Sequence, residues 1–572
     1  MDMLSWELIS DKSSVPQARQ APELRFIFLL LGIVALCLVP RLILTFKQFI
    51  SYDGWWHIMV ARTGNWRATF EDIRDNAHPP LFYILLHYLV NLGHSRFIYR
   101  LGVVVPGLAA IFYVGLIASK LYASRTLAIL AAAAFGFSMT MIEISVDVRS
   151  YSLSLLFVLA AFYYFTEWLQ DAGGRKGAGA FLLFCSLASL GITTEYFAVF
   201  FLLASFAAAL ILYLRYRELR ALVSVWLGRY GKIAALSSLI PLLTIAILYR
   251  RHIRYLPKFF NHIEAFYWHP HLGASLGAFL LSNLLRDANY FSPLPLSSVI
   301  VLVLLCLALV GLVAVYALQG AYSPRRIAAA MPGLILVLLV CELALFAVAG
   351  RYPFGGEMRQ QCIVFPFLVL GLFALLDWAL RVSPPRLLPA AGAIVAVAIT
   401  ANFAHGWRQI QFASESDLFL PPYQRFMEAF PHPRVVFTDQ YSSVLYMIGA
   451  NASHWRFIEK LGKAGLVGVQ RIYEFKITSP SGEEQILLRD KDEWNAELGS
   501  WYFYDVIANS LRAARVNEAD LFFSAHDAAD RSPAANQALE GTIRTLASRA
   551  GLDAGKIVLY PRDTFLHVNL RK

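Results

Sequence analysis

The sequence predicts a polytopic α-helical membrane protein with about eleven transmembrane helices, further juxtamembrane helices on the outer face, and a C-terminal soluble α/β domain. Of its 572 residues, 58% are hydrophobic and only 16% are charged, whereas about a quarter of the residues of a soluble protein are charged. The hydrophobic residues occur in long runs rather than in amphipathic periods, which indicates membrane spans. From about residue 405 the chain becomes more polar. We therefore expect a transmembrane catalytic domain at 1–405 and an outer α/β domain at 406–572.

The first hydrophobic run, at 25–46, covers roughly 33 Å as a helix and is long enough to cross a bilayer. It is too long for a signal-peptide core and lacks a small-residue cleavage site, so we expect an uncleaved span that enters from the cytoplasm. The run at 80–93 is short and contains His87, which predicts an interfacial helix on the outer face. The remaining spans are predicted at 98–119, 126–142, 151–169, 179–193, 197–214, 232–249, 296–318, 327–349, 361–380 and 387–404.

The basic residues support this topology. With a cytoplasmic N-terminus, each predicted cytoplasmic loop contains at least two lysines or arginines, as the positive-inside rule requires. These loops contain Lys120 and Arg125; Arg175 and Lys176; Arg215, Arg217, Arg220, Arg229 and Lys232; Arg325 and Arg326; and Arg381 and Arg386. They also account for much of the formal net charge of +11, so the charge is no argument for a nucleic-acid partner.

The C-terminal part alternates strand and helix patterns. We expect buried strands at 434–438, 520–524 and 556–560, and helices at 503–514 and 535–549. The five cysteines lie in or beside hydrophobic runs, none follows residue 362, and no CxxC metal spacing occurs. They are interpreted as small core residues.

Two aspartates are candidate catalytic acids. Asp53 follows the first span by a few residues, and Asp147 lies in the turn EISVDVRSY at 143–151, which the topology places on the same outer face. A carboxylate costs about 2.5–3.5 kcal/mol at the centre of a membrane helix and less near the interface, so a juxtamembrane acid suggests a function. The alternatives are that Asp53 is a helix N-cap and that Asp147 only neutralises Arg149.

A metal site is a second interpretation of the same region. Asp53 and His57 are four residues apart and would share one face of a helix, and Glu195 could be a third ligand or contact a substrate instead. One such pair is weak evidence for a metal. We therefore assign no metal site or cofactor and leave a divalent cation as the alternative.

The same face collects cations. It contains His78, Arg149, Arg254, Lys258, Arg351 and Arg359. A planar guanidinium suits a phosphate because it donates paired hydrogen bonds. The aromatic loop at 259–268 would suit a lipid tail and a sugar ring, and anchoring in the membrane interface explains it as well.

Several of these motifs together resemble a known family. A loop aspartate after the first span, the segment HPPLFYILLH at 78–87 and the D-x-R-x-Y turn at 147–151 are similar to motifs of the GT-C membrane glycosyltransferases. The nearest resemblance is to bacterial protein-mannosyltransferase-like and aminoarabinose-transferase-like enzymes, and it covers roughly residues 25–405. The segments TEY at 194–196 and RYPFGGEMRQ at 351–360 fall where members carry polar outer-face motifs. Two departures are Gly54, where many members have Glu, and Glu195, where some relatives have His.

The resemblance implies an enzyme of the bacterial inner membrane that acts on the periplasmic side. Asp53 would be the catalytic base and Asp147 the second acid. The donor would be a sugar on polyprenyl phosphate, and the acceptor a hydroxyl of an envelope lipid, glycan or protein. One displacement would invert the anomeric centre, and membrane lipids would surround the protein. The implied substrate-binding residues are His78, Tyr83, Arg149, Tyr151, Glu195, Tyr196, Arg254, Lys258, Arg351, Tyr352 and Arg359.

Two other functions remain as alternatives. A lipid or sugar transporter or flippase would place charges near the bilayer midplane on broken helices, often with internal repeats, and the sequence shows neither feature. A non-catalytic envelope assembly protein would use residues 406–572 to bind a partner and would tolerate Asp53→Asn.

Overall fold

The structure is a computed structural model that describes residues 23–571. It leaves out 63–65, 67–68, 71–72, 74–77, 94, 172–173, 255–265, 270–274, 294–322, 356–358, 382, 385, 411, 413–418, 453–455, 468–469, 479–481, 491–500 and 525–530.

Among the described residues, nine helices are long and apolar enough to cross a membrane. They are α1 (Leu24–Lys47), α4 (Arg96–Leu121), α7 (Tyr151–Gln170), α8 (Arg175–Thr194), α9 (Ala198–Arg215), α10 (Arg217–Arg251), α12 (Pro324–Val348), α13 (Val364–Arg381, preceded by the 3-10 turn Arg359–Ile363) and α14 (Leu387–Gln409). Shorter helices lie between them: α2 (Tyr52–Ala61), α3 (Pro80–Leu92), α5 (Arg125–Gly136), α6 (Met139–Ile144) and α11 (Leu276–Phe291). The nine coincide with nine of the predicted spans.

The prediction of one continuous span at 126–142 was wrong. Helix α5 has 12 residues and is about 18 Å long, which is too short to cross a bilayer by itself. It ends at Gly136, where the Cβ of any other residue would lie 2.5 Å from Cys37 Sγ, and the chain resumes as α6 after Ser138. The predicted span at 232–249 is part of the 35-residue helix α10, which is kinked at Tyr230. The predicted span at 296–318 lies outside the described residues.

The helices have two chemically different ends. At one end, Asp377 accepts hydrogen bonds from the backbone N–H groups of Ala123 and Ser124 (3.0 Å each), and Lys120 pairs with Glu167. These loops are among those that the positive-inside rule places in the cytoplasm. Asp147 lies at the other end, about 30 Å away, because the 20-residue helix α7 separates it from the Glu167 region.

The short helix α3 has the features of an interfacial helix. Its 13 residues cover about 20 Å, less than the hydrocarbon thickness. It buries Phe82, Tyr83 and Leu86 and leaves Tyr88 and Leu92 exposed. An interfacial position of 80–93 is therefore consistent with the structure.

The C-terminal part contains a seven-stranded sheet in the order β2-β3-β4-β1-β5-β7-β6. The strands are β1 (Val435–Thr438), β2 (Arg456–Val467), β3 (Gln470–Thr478), β4 (Glu484–Asp490), β5 (Glu518–Ser524), β6 (Leu552–Leu559) and β7 (Asp563–Leu570). The centre, β4-β1-β5, is parallel, and the outer pairs are antiparallel. The helices are α15 (Leu420–Ala429), α16 (Gln440–Ala452), α17 (Trp501–Ala514) and α18 (Pro533–Arg549). The predicted strands correspond to β1, β5 and β6, and the predicted helices to α17 and α18.

Candidate active site

Asp53 lies in the first turn of α2, directly after a side-chain cap. The cap is Ser51, whose Oγ accepts a hydrogen bond from the backbone N–H of Gly54 (3.1 Å), so the alternative that Asp53 itself is the N-cap was wrong. The Asp53 side chain is half exposed, and its Oδ2 lies 3.0 Å from Arg149 Nη1. A half-exposed carboxylate at a helix N-terminus can receive a ligand from solvent while a cation fixes its position.

Gly54, the residue after Asp53, lies where the start of α2 is close to the turn that carries the second acid. A Cβ at this position would lie 2.7 Å from the side chain of Ile50 and 3.4 Å from that of Val148. The glycine therefore avoids a clash with Ile50 at the start of α2, whereas Val148, in the turn that carries Asp147, lies at ordinary van der Waals distance.

Asp147 is joined to the same segment through Ser51. The Ser51 hydroxyl donates to Asp147 Oδ1 (2.6 Å), and Arg359 forms an ion pair with Asp147 Oδ2. Asp147 is thus not neutralised by Arg149 alone, because Arg149 contacts Asp53 instead. The structure therefore brings both predicted acids together, each with its own arginine.

A cavity of about 300 Å³ opens beside Asp147. It is lined by Gln48, Phe49, Ser51, Arg100, Glu143, Ile144, Val146, Asp147, Tyr290 and Arg359. Burial and the neighbouring Asp147 raise the pKa of Glu143, while Arg359 opposes the shift. The cavity thus presents carboxylates, guanidinium groups and a phenol to one small space.

Arg149 is the central cation of the site. Burial alone would lower the pKa of its guanidinium, but Tyr151, Asp53, Asp147 and Glu195 together raise it. Its guanidinium carbon also lies 5.3 Å from the centre of the Tyr151 ring. Arg149 is therefore a permanent positive charge among acidic groups.

His78 and Glu195 form a buried pair close enough to Arg149 for its charge to act on Glu195. His78 Nδ1 is 2.7 Å from Glu195 Oε2, and the Ser150 hydroxyl donates to the same oxygen (2.5 Å). Burial alone would raise the pKa of Glu195, but His78, Ser150 and Arg149 hold it below its usual value. Glu195 is thus an ionised, fully engaged carboxylate in this structure.

His57 and Tyr83 form a second buried contact. His57 Nδ1 lies 2.8 Å from the Tyr83 hydroxyl. Burial first, and then His78, Arg149 and Arg359, lower the pKa of His57 well below its ordinary value. His57 is therefore neutral at pH 7, and it acts as a hydrogen-bonding group rather than as a cation.

Some of the other predicted substrate-binding residues are buried, and others are exposed. Tyr196 contacts His252, and Tyr352 packs against Phe200 with ring centres 4.8 Å apart. The hydroxyls of Tyr151 and Tyr352 are buried and have no hydrogen-bond partner among the described residues. Arg254 and Arg351 are exposed, and Lys258 lies outside the described residues.

The structure adds residues that sequence reasoning missed. Ser51, Glu143, Ser150 and Tyr290 contact or line the site. A serine three residues before Gly54 at a helix start is a recognisable cap signal. The others have no local signal, because only the tertiary fold brings them to the acids.

The groups considered for a metal each engage another partner. Asp53 pairs with Arg149, His57 with Tyr83, and Glu195 with His78. Within the described part of the chain, no three His, Cys, Asp or Glu side chains are placed to hold a metal ion. In this arrangement each of the three residues is engaged by a protein side chain.

The C-terminal unit packs directly on α2 through helix α16 and strand β4. Tyr441 stacks on Tyr52 with ring centres 4.7 Å apart, and the guanidinium of Arg489 lies 4.9 Å from the Trp56 ring centre. Arg489 is buried, and its Nη1 is 3.7 Å from Met59 Sδ. The helix that carries Asp53 is thus held between the membrane helices and the C-terminal unit.

No family model and no curated protein matches this sequence. Among solved structures, ArnT from Cupriavidus metallidurans bound to undecaprenyl phosphate is similar over 94% of this chain and 97% of its own, at 11% identity and a TM-score of 0.52. AglB from Archaeoglobus fulgidus, with an inhibitory peptide and a dolichol-phosphate, is similar over 87% of this chain and 69% of its own (9% identity, TM-score 0.44). The sugar-donor-bound Pmt1-Pmt2 protein O-mannosyltransferase of S. cerevisiae matches 41% of this chain (13% identity, TM-score 0.32), and the match spans about a third (35%) of that chain's length. The match to ArnT extends over nearly the whole of both chains and includes the sheet. The chain therefore has the GT-C fold that its motifs predicted.

Proposed function

We propose that this protein is an inverting glycosyltransferase that moves a sugar from a polyprenyl-phosphate donor to a hydroxyl of an envelope lipid, glycan or protein. The observation that carries the proposal is the pair of acids, Asp53 and Asp147, each with its own arginine and joined through Ser51. The fold, which is shared with ArnT, supports a lipid-linked donor, because that relative holds undecaprenyl phosphate.

Asp53 is the proposed base. Its exposed carboxylate accepts the proton of the acceptor hydroxyl, whose oxygen then attacks the anomeric carbon of the sugar. The bond from that carbon to the phosphate oxygen breaks, and its electron pair leaves with the lipid phosphate. A single displacement of this kind inverts the anomeric centre.

Arg149 and Arg359 are the proposed groups that stabilise the leaving phosphate. Both guanidinium groups are held in place by a carboxylate, so they need little reorganisation as negative charge develops. Arg359 is better placed than the exposed Arg351, because it lines the cavity beside Asp147. The buried hydroxyls of Tyr151 and Tyr352 are available as further hydrogen-bond donors to the phosphate.

We place this reaction at the periplasmic face of the bacterial inner membrane. The support is the distribution of charge, because the lysine- and arginine-rich loops lie at the opposite end of the helices from Asp53 and Asp147. In this orientation the N-terminus is cytoplasmic and residues 406–572 form a periplasmic domain over the site.

The test is mass spectrometry of envelope glycans and lipids from a deletion strain complemented with the wild-type protein or with Asp53→Asn. We expect one sugar modification to be lost in the deletion strain, restored by the wild-type protein and not restored by the variant. Unchanged envelope glycans and lipids in the deletion strain would overturn the proposal. Restoration by Asp53→Asn would favour a non-catalytic assembly role.

A further inference from the structure

Arg100 is a buried arginine in the second turn of α4, and its side chain is bonded to backbone carbonyls. Its Nε donates to Val146 O (2.8 Å). Its Nη1 donates to Leu44 O, Thr45 O and Gln48 O (3.2, 2.6 and 3.0 Å), and its Nη2 donates to Phe49 O (2.8 Å). The side chain is only 2% exposed.

These five carbonyls belong to two segments of the chain. Leu44 and Thr45 are in the last turn of α1, where a cation is favourable, and Leu44 O also accepts the backbone N–H of Gln48. Gln48 and Phe49 continue from that helix toward Ser51 and Asp53. Val146 belongs to the other segment and immediately precedes Asp147. One guanidinium group therefore binds the backbone of both segments that carry the candidate acids.

We propose that Arg100 is a positioning residue that fixes the separation of Asp53 and Asp147 by holding these two segments together. The inference rests on the proposed function for its catalytic consequence. Arginine is required because Val146 O and Phe49 O bind different nitrogens of the planar group. A lysine keeps the charge but donates from one nitrogen only, so it cannot reach both segments in the same way.

The position of Arg100 makes this role testable by chemical rescue. Arg100 lines the same 300 Å³ cavity as Ser51, Asp147 and Arg359. Truncation to alanine therefore leaves a space that connects with this cavity, where a free guanidinium ion can bind. Methylammonium has the same charge but lacks the planar set of donors.

The experiment compares wild type, Arg100→Ala and Arg100→Lys as full chains in lipid nanodiscs, with release of polyprenyl phosphate as the measure of turnover. We expect kcat to fall about 10- to 100-fold in both variants, since small displacements of reacting groups cost this much, with the donor KM changed less than about threefold. Millimolar guanidinium should restore part of the kcat of Arg100→Ala, and methylammonium should not.

Arg531→Ala is the matched control. Arg531 also donates to three backbone carbonyls, those of Tyr560, Pro561 and Asp563 (2.9, 3.2 and 2.7 Å), but it lies in the C-terminal unit. This variant should lower the melting temperature and keep kcat. An unchanged kcat per folded molecule in the Arg100 variants, or equal rescue by the two cations, would overturn the inference.

Hydrogen exchange gives a second measurement that needs no turnover. Peptides that cover 44–54 and 143–150 should exchange faster in both variants, and guanidinium should slow both peptides of Arg100→Ala together. Faster exchange in one segment alone would overturn the positioning role. Absence of turnover in the wild type would refute the proposed function instead, and exchange would still decide whether Arg100 holds the segments. If Arg100→Ala does not fold, hydrogen exchange and kcat are compared between wild type and Arg100→Lys.

Discussion

Asp53→Asn separates the catalytic role of the side chain from its structural role. The amide keeps the volume of the carboxylate and can still bind Arg149, but it cannot accept a proton. Removal of a general base lowers the rate typically by about 10²–10⁴, which is roughly 3–5 kcal/mol in activation free energy at about 1.4 kcal/mol per tenfold change. The free energy of unfolding should change far less, by about 0–1 kcal/mol, because the Asp53 side chain is half exposed and solvent screens its ion pair.

The assay is the release of polyprenyl phosphate by purified protein in nanodiscs, since this product is common to every sugar and acceptor that the proposal allows. Asp553→Asn, an exposed acid on β6, is the control and should retain turnover. Asp147→Asn should lose turnover and also more stability, because the Asp147 carboxylate is largely buried and binds both Ser51 and Arg359. Turnover of Asp53→Asn within about threefold of wild type, in a monodisperse and folded sample, would refute the role of Asp53 as base.

Three further substitutions test other parts of the structure. Arg359→Ala should weaken binding of undecaprenyl phosphate about 10- to 100-fold, as expected for loss of a charge-assisted hydrogen bond. The control Arg351→Ala, at an exposed site, should change this affinity less than about twofold. Similar losses of affinity in the two variants would argue against contact between Arg359 and the phosphate. Arg489→Met should lower the melting temperature and speed hydrogen exchange in Tyr52–Ala61, while the surface variant Arg544→Met should do neither. Burial raises the pKa of Asp287 to about 8. The stability that this protonated group contributes is fully present below the unfolded pKa of about 4 and is lost progressively as pH rises from there through 8. Between pH 6 and 8 the free energy of unfolding of the wild type should fall by about 2 kcal/mol, and that of Asp287→Asn should not fall. An equal fall in both proteins would show that Asp287 is not the titrating group.

Much of the membrane fold could be predicted from the sequence because hydrophobic length is a local property. Nine predicted spans correspond to helices, and the short run at 80–93 was separated from them by its length alone. At 126–142 hydrophobicity is continuous although the helix is not: α5 ends at Gly136, which lies close to Cys37, and hydrophobic length alone does not mark that end.

The sheet was predicted less completely for a similar reason. The segments now seen as β1, β5 and β6 contain short runs of hydrophobic residues. Strands β2 and β3 lie at one edge of the sheet, and their alternating charges (RFIEKLGK and QRIYEFK) obscure the hydrophobic pattern. Parallel pairing of β4 with β1 joins segments about 50 residues apart, and sequence periodicity carries no information on that register.

For the candidate site too, residues with a local sequence signal were predicted, and relations that depend on the tertiary fold were not. Asp53, Asp147 and Arg149 were found because charged residues beside hydrophobic runs are conspicuous. The choice of Arg359 over Arg351 could not be made from spacing, since both lie in one loop and only the fold pairs Arg359 with Asp147. Likewise, the resemblance implied that His78 and Glu195 bind substrate, but the structure places them in a buried pair.

The packing of the C-terminal unit on α2 bears on what that part of the chain does. A domain that only recruited a partner could be attached by a flexible linker, and its removal would leave the acids in place. Here Tyr441 and Arg489 contact Tyr52 and Trp56, the residues that lie one before and three after Asp53 on the same helix. A helix of 10 residues is marginally stable alone, so α2 depends on these contacts and on the membrane helices for its position. Deletion of 406–572 should therefore abolish turnover even when no partner is present, and full activity of the truncated chain on purified substrates would show that the contacts are dispensable.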